Sequence, residues 1–375
     1  MNVVAPLRRL GAPPARAAMR GLVGVRTRGW EPASRLFVVG EGSSWSTDED
    51  AHHLAATASR LGYRVAPEPW ARFAERQSVF HASHFAAVER HWLESSQRLG
   101  VAWLHGRPGT PGAPEFDRAF EALRGAPGRF ARVQVTHAEM HELVLGAGVD
   151  PAHVFRIPIG IDLENFPLRD DDLRGRSRQE LGVPATAFVV GSFQKDGVGW
   201  GEGLEPKMVK GPDVLVAALA RLRDLVPELF VLLTGLARGY VRRELERLGI
   251  PYLHVVTGSR RELAQAYHAL DLYLVTSRQE GGPKAVLESM ATGIPLVTTR
   301  VGQAQELVAH ERNGLLVDVE DTEALVDCAA RVREDGALVV PLRDAGRRTA
   351  EAHAYERLDD LWGALLEGFV EREPA

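Results

Sequence analysis

The stretch Glu280-Gly281-Gly282-Pro283-Lys284-Ala285-Val286-Leu287-Glu288 places two carboxylates eight residues apart, with a Gly-Gly-Pro turn between them. Immediately upstream, Asp271-Leu272-Tyr273-Leu274-Val275-Thr276-Ser277 reads as a buried strand. Downstream, residues 285–291 read as a helix closed by Gly293. Pro283 suits the first helical position, because it gives up an N–H that would find no partner there. The helix start then presents the N–H groups of Gly281, Gly282 and Lys284 to a ligand, with the positive end of a helix dipole behind them. That is an anion site. Glu280 stands at its mouth and Glu288 about a turn and a half into the helix. The pair is spaced to grip two ends of one polyol ligand while the turn holds its phosphate.

Along the rest of the chain, short apolar runs alternate with helical stretches, the pattern of parallel α/β sheets. Strands are expected at 36–39, 64–66, 78–81, 102–104, 132–135 and 154–157 in the first half. In the second they are expected at 187–193, 229–234, 253–256, 271–276, 295–299 and 314–317. A helix starts at Ser46-Thr47-Asp48-Glu49, which has capping-box spacing, and Gly62 ends it. The organisation expected is a basic arm (1–30), a first Rossmann-like domain (31–165), a polar linker (166–184), a second Rossmann-like domain (185–354) and a C-terminal segment (355–375). Ligands of such sheets bind beyond the carboxyl ends of the strands. Two domains facing each other across a central cleft would bring all the candidate groups below to one place. The last segment is amphipathic, with Leu358, Leu361, Trp362, Leu365, Leu366 and Phe369 at helical spacing.

The acidic pair followed by Ser289-Met290-Ala291-Thr292-Gly293-Ile294-Pro295-Leu296-Val297-Thr298-Thr299-Arg300-Val301-Gly302 resembles the donor site of the retaining glycosyltransferases of family 4 (glycosyl transferases group 1). The likeness continues through Gln305-Glu306-Leu307-Val308 and Asn313-Gly314-Leu315-Leu316-Val317. It is strong over residues 187–320 and weaker over 36–167. The resemblance implies a GT-B fold, an α/β architecture of two Rossmann-like domains facing a central cleft, with the last helix crossing back to the first domain. It implies transfer of a sugar from a nucleotide-diphosphate donor to an acceptor hydroxyl, with retention and without a metal or other cofactor. It assigns Glu288 to the ribose hydroxyls and Glu280 to the transferred sugar. Gly281, Gly282 and Pro283 would lie against sugar hydroxyls and phosphate.

Three further segments follow expected strands. The loop of residues 194–213 holds Lys195, Lys207 and Lys210 and five glycines, a composition suited to a diphosphate. Lys210-Gly211 matches the second half of the family's G-R…K-G arrangement. The arginine half is missing, and either Lys195 or Lys207 would replace it; the other reading is a mobile loop with solvated lysines. Trp103-Leu104-His105-Gly106 ends in a histidine that is either packed against its neighbours or, as in the family's H-G pair, set beside the transferred sugar. Gly40-Glu41-Gly42-Ser43-Ser44-Trp45 is an incomplete dinucleotide fingerprint. It reads either as a tight turn or as the family's loop toward the donor phosphates, with Gly42 the contact. Asp170-Asp171-Asp172 lies away from the strand ends and is not expected to bind metal.

The net charge of −5 gives no reason to expect nucleic acid as a partner. The single cysteine, Cys328, excludes an internal disulfide and a multi-cysteine zinc site. No apolar run reaches the roughly 18 residues a membrane span needs. A cytoplasmic protein is expected. Residues 1–30 carry Arg8, Arg9, Arg16, Arg20, Arg26 and Arg28 with no acid before Glu31. That arm is read as a solvated extension, a transit peptide, or a peripheral contact with an anionic membrane that presents a lipid-linked acceptor. The acceptor itself is expected to be a carbohydrate or lipid-linked hydroxyl. The alternative in a different class is a GT-B protein that binds or scaffolds a sugar nucleotide without catalysis, suggested by the altered lysine loop.

Overall fold

Parallel strands need long crossovers, and the apolar runs of this chain are separated by amphipathic helices that supply them. The protein, seen here in a computed structural model, is described over residues 21–372 apart from 24, 26, 28 and 43–45. The basic arm, except for its last few positions, lies outside the described residues. Two units separate. One comprises the residues up to Ile157 together with those from Leu358 onward; the other is Pro158–Arg357.

The first unit carries a parallel sheet of β1 (Leu36–Val39), β2 (Ser78–His81), β3 (Arg98–Ala102), β4 (Phe130–Val135) and β5 (Val154–Arg156), in that spatial order. Its helices of eight residues or more are α1 (Ser46–Arg60), α2 (Pro114–Gly125) and α3 (Ala138–Gly146), followed late in the chain by α11 (Asp359–Leu366). Two expectations fail here. Residues 64–66 form no strand, only a bridge between Val65 and Leu36. The third strand lies at Arg98–Ala102 instead of 102–104. It was hidden because Gly100 sits where a Cβ would lie 2.6 Å from Phe80 and 3.0 Å from Phe369. The close packing that demands the glycine erases the apolar alternation that reveals a strand.

The second unit carries β6 (Phe188–Ser192), β7 (Leu229–Thr234), β8 (Tyr252–Val255), β9 (Leu272–Val275), β10 (Leu296–Thr299) and β11 (Leu315–Val317), ordered β11-β10-β9-β6-β7-β8 and all parallel. The chain builds outward from β6 through β7 to β8. It then returns to place β9 on the other side of β6. This reversal of direction is a topological switch point, where the loops leaving β6 and β9 diverge and leave a crevice at their carboxyl ends. Around the sheet lie α4 (Asp171–Leu181), α5 (Pro212–Leu225), α6 (Gly239–Leu248), α7 (Arg260–His268), α8 (Lys284–Thr292), α9 (Thr322–Glu334) and α10 (Gly336–Ala352). Apolar clusters fill both faces of the sheet. Val190, Leu219, Leu233 and Leu274 belong to one, Val189, Leu232, Tyr273 and Val275 to the other.

The expected linker at 166–184 is instead part of the second unit. Its three aspartates start α4: Asp170 caps it, accepting from Leu173 N at 2.7 Å, and Asp171 and Asp172 occupy the first turn, where the helix dipole favours anions. Gly182, at φ 72°, ends it. Arg178 ties the helix to the sheet through Asp271 at 2.5 Å and through the carbonyls of Ala185, Ala187 and Ala269. The polar composition that suggested a linker is a solvent-facing helix with one buried arginine.

The C-terminal segment joins the first unit, as the family resemblance implied. It is broken where one helix was expected: a 3-10 turn (Tyr355–Leu358), then α11 (Asp359–Leu366), then a turn at Gly368 with φ 65°. Trp362 meets Phe80 edge-on at 5.9 Å, Arg60 pairs with Asp359 at 2.7 Å, and Ser78 Oγ donates to the carbonyl of Phe369. Leu365, Leu366 and Phe369 are fully buried, each stabilising by about 1.5–3 kcal/mol. Leu361, expected on the apolar face, is exposed.

Candidate functional site

Helix α8 begins one residue later than the proline rule suggests. Pro283 is the residue before the first helical position, at φ −65° and ψ 112°, and Lys284 opens the helix. Gly293, at φ 73°, ends it, and a Cβ there would meet Leu168 at 2.6 Å. The turn ahead of the helix is tightly backed. A Cβ on Gly282 would lie 2.7 Å from Ile159 Cδ1 and 3.0 Å from Gln303 Oε1. Gln303 N donates to Gly281 O at 3.1 Å, and the Gln303 side chain accepts from Ile159 N at 2.7 Å. Gly302 passes so close to the carbonyl of Glu280 that a Cβ would lie 2.3 Å from it. Packing therefore fixes the backbone at 280–283, the preorganisation that an anion-binding turn needs.

Glu280 is 11% exposed and both its oxygens lie 2.6 Å from Lys210 Nζ. Ser277 Oγ donates to Glu280 Oε1 at 2.9 Å and reaches Gln194 Oε1 at 3.1 Å; Gln194 Nε2 donates to the carbonyl of Lys210 at 3.2 Å. Gly211, at φ 62°, has no room for a side chain: a Cβ would sit 1.9 Å from Thr276 O. The loop after β6 and the loop after β9 are thus locked together at the switch point, with a carboxylate and an ammonium at their junction.

Glu288 is 5% exposed. Tyr267 OH donates to its Oε2 at 2.9 Å, and Arg260 Nη1 to its Oε1 at 3.2 Å. Burial, and next the Glu288 carboxylate, push the Tyr267 hydroxyl well above the ordinary tyrosine range, so it stays a neutral donor.

The lysine loop is tied down by specific contacts. Asp196 and Arg238 form a buried pair: Nε donates to Oδ1 at 3.0 Å, and Nη2 lies 2.9 Å from Oδ2, off the hydrogen-bonding line. Arg238 also donates to the carbonyls of Ser192 and Thr234. Lys207 N donates to Asp196 O and Val198 N to Glu205 O, closing a short hairpin. Gly197 and Gly203 press on Ala237 O, with Cβ distances of 2.3 and 2.4 Å. The hairpin presents Trp200, 62% exposed, with Lys195 Nζ 4.5 Å from its ring centroid. Burial and then the Lys210 charge lower the Lys195 pKa.

In the first unit, His105 follows β3 and lies edge-on to His84 (5.5 Å) and Phe116 (5.5 Å). His84 is stacked on Trp103 at 4.5 Å, and its Nε2 is buried without a hydrogen-bond partner, as is Trp103 Nε1. Gly42 N donates to Asp48 Oδ1 at 2.9 Å, and a Cβ on Gly40 would lie 2.2 Å from that same oxygen. The glycine turn thus wraps a carboxylate of α1. Ser43, Ser44 and Trp45 lie outside the described residues.

Sequence reasoning missed Gln194, Arg260, Tyr267 and Ser277. Ser277 ends the buried run already read as a strand, so its place beside Glu280 was within reach. Tyr267 and Arg260 lie 21 and 28 residues from Glu288, and only the packing of α7 against α8 brings them to it. Among the described residues, no group of three or more His, Cys, Asp or Glu is placed to hold a metal ion. No helix among them is long and apolar enough to cross a membrane.

Residues 200–335, which include Lys210, Glu280 and Glu288, match the family model described as Glycosyl transferases group 1. The chain carries a glycosyl transferases group 1 domain. Among curated relatives, it is 29% identical over 259 residues to D-inositol 3-phosphate glycosyltransferase of Corynebacterium urealyticum, covering 64% of this chain and 59% of that one. It is 28% identical over 370 residues to the D-inositol 3-phosphate glycosyltransferase of Segniliparus rotundus, covering 90% and 78%. To the lipopolysaccharide core biosynthesis mannosyltransferase LpsB of Rhizobium meliloti it is 30% identical, covering 56% and 60%. The chain spans about three-fifths of the length of the first and last of these. In fold it is similar to Anabaena HepE in complex with UDP and glucose (TM-score 0.70, 18% identity, 89% of this chain and 99% of that one). It is likewise similar to sucrose-phosphate synthase of Thermosynechococcus elongatus (TM-score 0.72, 19% identity, 89% and 98%). The fold class is therefore GT-B, two α/β units with parallel sheets.

Proposed function

We propose that this chain is a retaining glycosyltransferase that moves a hexose-type sugar from a nucleotide-diphosphate donor to an acceptor hydroxyl without a metal. The observation that carries the reading is the Lys210–Glu280 contact, 2.6 Å to both oxygens, at the switch point and beside the start of α8. A fixed ammonium next to helix-start N–H groups suits a departing diphosphate; a carboxylate beside it suits positive charge growing at the anomeric carbon. Structures of HepE with UDP-glucose, and the glycosyltransferase names of the relatives, support a nucleotide-sugar donor.

In this reading the bond between the anomeric carbon and the diphosphate oxygen breaks, and Lys210 and Lys195 take up the charge left on the phosphate. Gly281, Gly282 and Pro283 line the sugar and phosphate. The acceptor oxygen bonds to the anomeric carbon on the face the diphosphate leaves, its proton passes to a diphosphate oxygen, and configuration is retained. Glu288 holds the ribose. His105 contacts a sugar hydroxyl, and Gly42 turns toward the donor phosphates in exchange for Asp48. Lys195 is taken to stand in for the family's arginine, because it directly follows Gln194, whose side chain donates to the Lys210 carbonyl, and because it feels the Lys210 charge. A cytoplasmic location fits a nucleotide-sugar donor and the single, buried Cys328. The acceptor class proposed is a carbohydrate or lipid-linked hydroxyl.

A thermal-shift screen with UDP, GDP and ADP and their glucose or mannose conjugates tests the reading. A ligand at about 100 times its dissociation constant stabilises by about 2.7 kcal/mol. The stabilising sugar nucleotide is then tested for transfer and for hydrolysis. Absence of any shift across the panel overturns the proposal.

A further inference from the structure

Glu288 is held in a way that a surface-facing helix carboxylate is not. Each of its oxygens receives a donor from helix α7: Oε2 from Tyr267 OH at 2.9 Å, Oε1 from Arg260 Nη1 at 3.2 Å. Tyr267 is fully buried, and its ring is clamped by Phe193 (4.7 Å), Tyr273 (5.1 Å) and Phe166 (6.1 Å). The clamp is itself fixed, since Tyr273 OH accepts from Phe193 N at 2.8 Å. Phe193 is the residue after β6, so the clamp runs from the switch point to the carboxylate.

We propose that Tyr267 is the positioning residue that makes Glu288 selective for a vicinal diol, so that this site accepts ribonucleoside diphosphates and rejects their 2′-deoxy counterparts. The inference rests on the donor-site reading above and adds the residue that sets its sugar selectivity. The physical reason is the geometry of a carboxylate. It accepts about four hydrogen bonds in one plane, two on each oxygen. A 2′,3′-diol brings two O–H donors at a spacing that matches the two carboxylate oxygens, but only if the carboxylate plane faces it. Rotation about the last side-chain bond of a glutamate is broad. Tyr267 and Arg260, one on each oxygen, hold that plane. The tyrosine is the more rigid holder, because Arg260 is 29% exposed and Tyr267 is sealed. With the plane held, a 2′-deoxyribose leaves one oxygen of a buried carboxylate with its protein donor but one hydrogen bond short, a penalty in a site where the carboxylate is almost fully buried.

The test is calorimetric titration of the full chain with UDP, GDP and ADP, each beside its 2′-deoxy form. For wild type, the best-bound ribonucleotide is expected to bind about tenfold or more tighter than its deoxy form. In Tyr267→Phe, which keeps the ring in its clamp, that ratio is expected to fall to within about twofold, while the deoxy affinity changes little. Arg260→Ala, at a partly exposed position that folding tolerates, is expected to lower the ratio by about threefold. A merely structural role for Tyr267 predicts instead equal weakening of both nucleotides, and that result overturns the proposal, as does an unchanged ratio in both variants. A wild-type ratio near one overturns it while leaving the donor site standing. If none of the six nucleotides binds wild type, the donor-site reading itself fails and this inference falls with it.

Discussion

Lys210 Nζ stands 2.6 Å from each oxygen of Glu280, a contact that joins two loops 70 residues apart in sequence at the point where the strand order reverses. The two groups act on opposite signs of charge that grow together as the glycosidic bond breaks. Glu280→Gln and Lys210→Ala are each expected to lower turnover about a hundredfold or more. Affinity for the nucleotide diphosphate should change much less, because the loss falls on the transition state. Steady-state kinetics beside calorimetry measures both. Loss of affinity with turnover intact would move the pair from chemistry to simple binding.

Glu288 lies at the other end of the motif and is predicted to behave oppositely. Glu288→Ala removes the acceptor for buried hydroxyls and is expected to weaken nucleotide binding about tenfold to a hundredfold. Turnover at saturating donor should move less. Wild-type affinity in this variant, measured by calorimetry, would remove the assigned role.

The two remaining lysines of the loop are expected to differ, because only one stands in for the missing arginine. Lys195→Ala is expected to lower turnover about tenfold or more, since it is the lysine proposed to act with Lys210 on the departing charge. Lys207→Ala should then stay within about twofold of wild type, because the departing charge is met by the other two lysines. The reverse order in a side-by-side kinetic assay would reassign the missing arginine to Lys207.

Charge stabilisation by lysines and helix-start N–H groups predicts that transfer persists in excess EDTA. Full loss of activity, restored by manganese or magnesium, would show that a metal carries that charge.

His81 gives a prediction on stability. It is fully buried at the end of β2, edge-on to Trp92 at 4.6 Å, and neither ring nitrogen has a hydrogen-bond partner. Burial, then the charges of His91 and Arg72, lower its pKa from 6.5 to about 3. The folded form keeps the ring neutral while the unfolded chain binds a proton below pH 6.5. The stabilisation is therefore present above the unfolded pKa and is lost as pH falls from 6.5 toward 3. Between pH 7 and pH 5 this amounts to about 2 kcal/mol. Urea unfolding at the two pH values measures it, and His81→Phe is expected to flatten that dependence. An equally steep acid limb in the variant would assign it to other groups.

Most strands were legible because parallel strands buried on both faces read as continuous apolar runs. β1, β2 and β7 match their expected bounds, and β6 and β8–β11 fall within a residue or two of theirs. The helix start at Pro283 and its end at Gly293 follow from local backbone rules, so sequence placed them to within one residue. β3 was misplaced because a glycine required by Phe80 and Phe369 interrupts its pattern. The helix at Asp171–Leu181 was missed because most of its residues face water.

The alternation of strands and helices, and the turn with its two carboxylates, are written in the local order of residues, because they depend on periodicity and on the φ preferences of proline and glycine. What those carboxylates touch depends on the folded arrangement. Lys210 reaches Glu280, and Tyr267 and Arg260 reach Glu288, through the order of strands in a sheet and the packing of α7 on α8. Contacts between residues tens of positions apart carry no local signature. They form only when burial of both faces of the sheet fixes which loops leave it side by side.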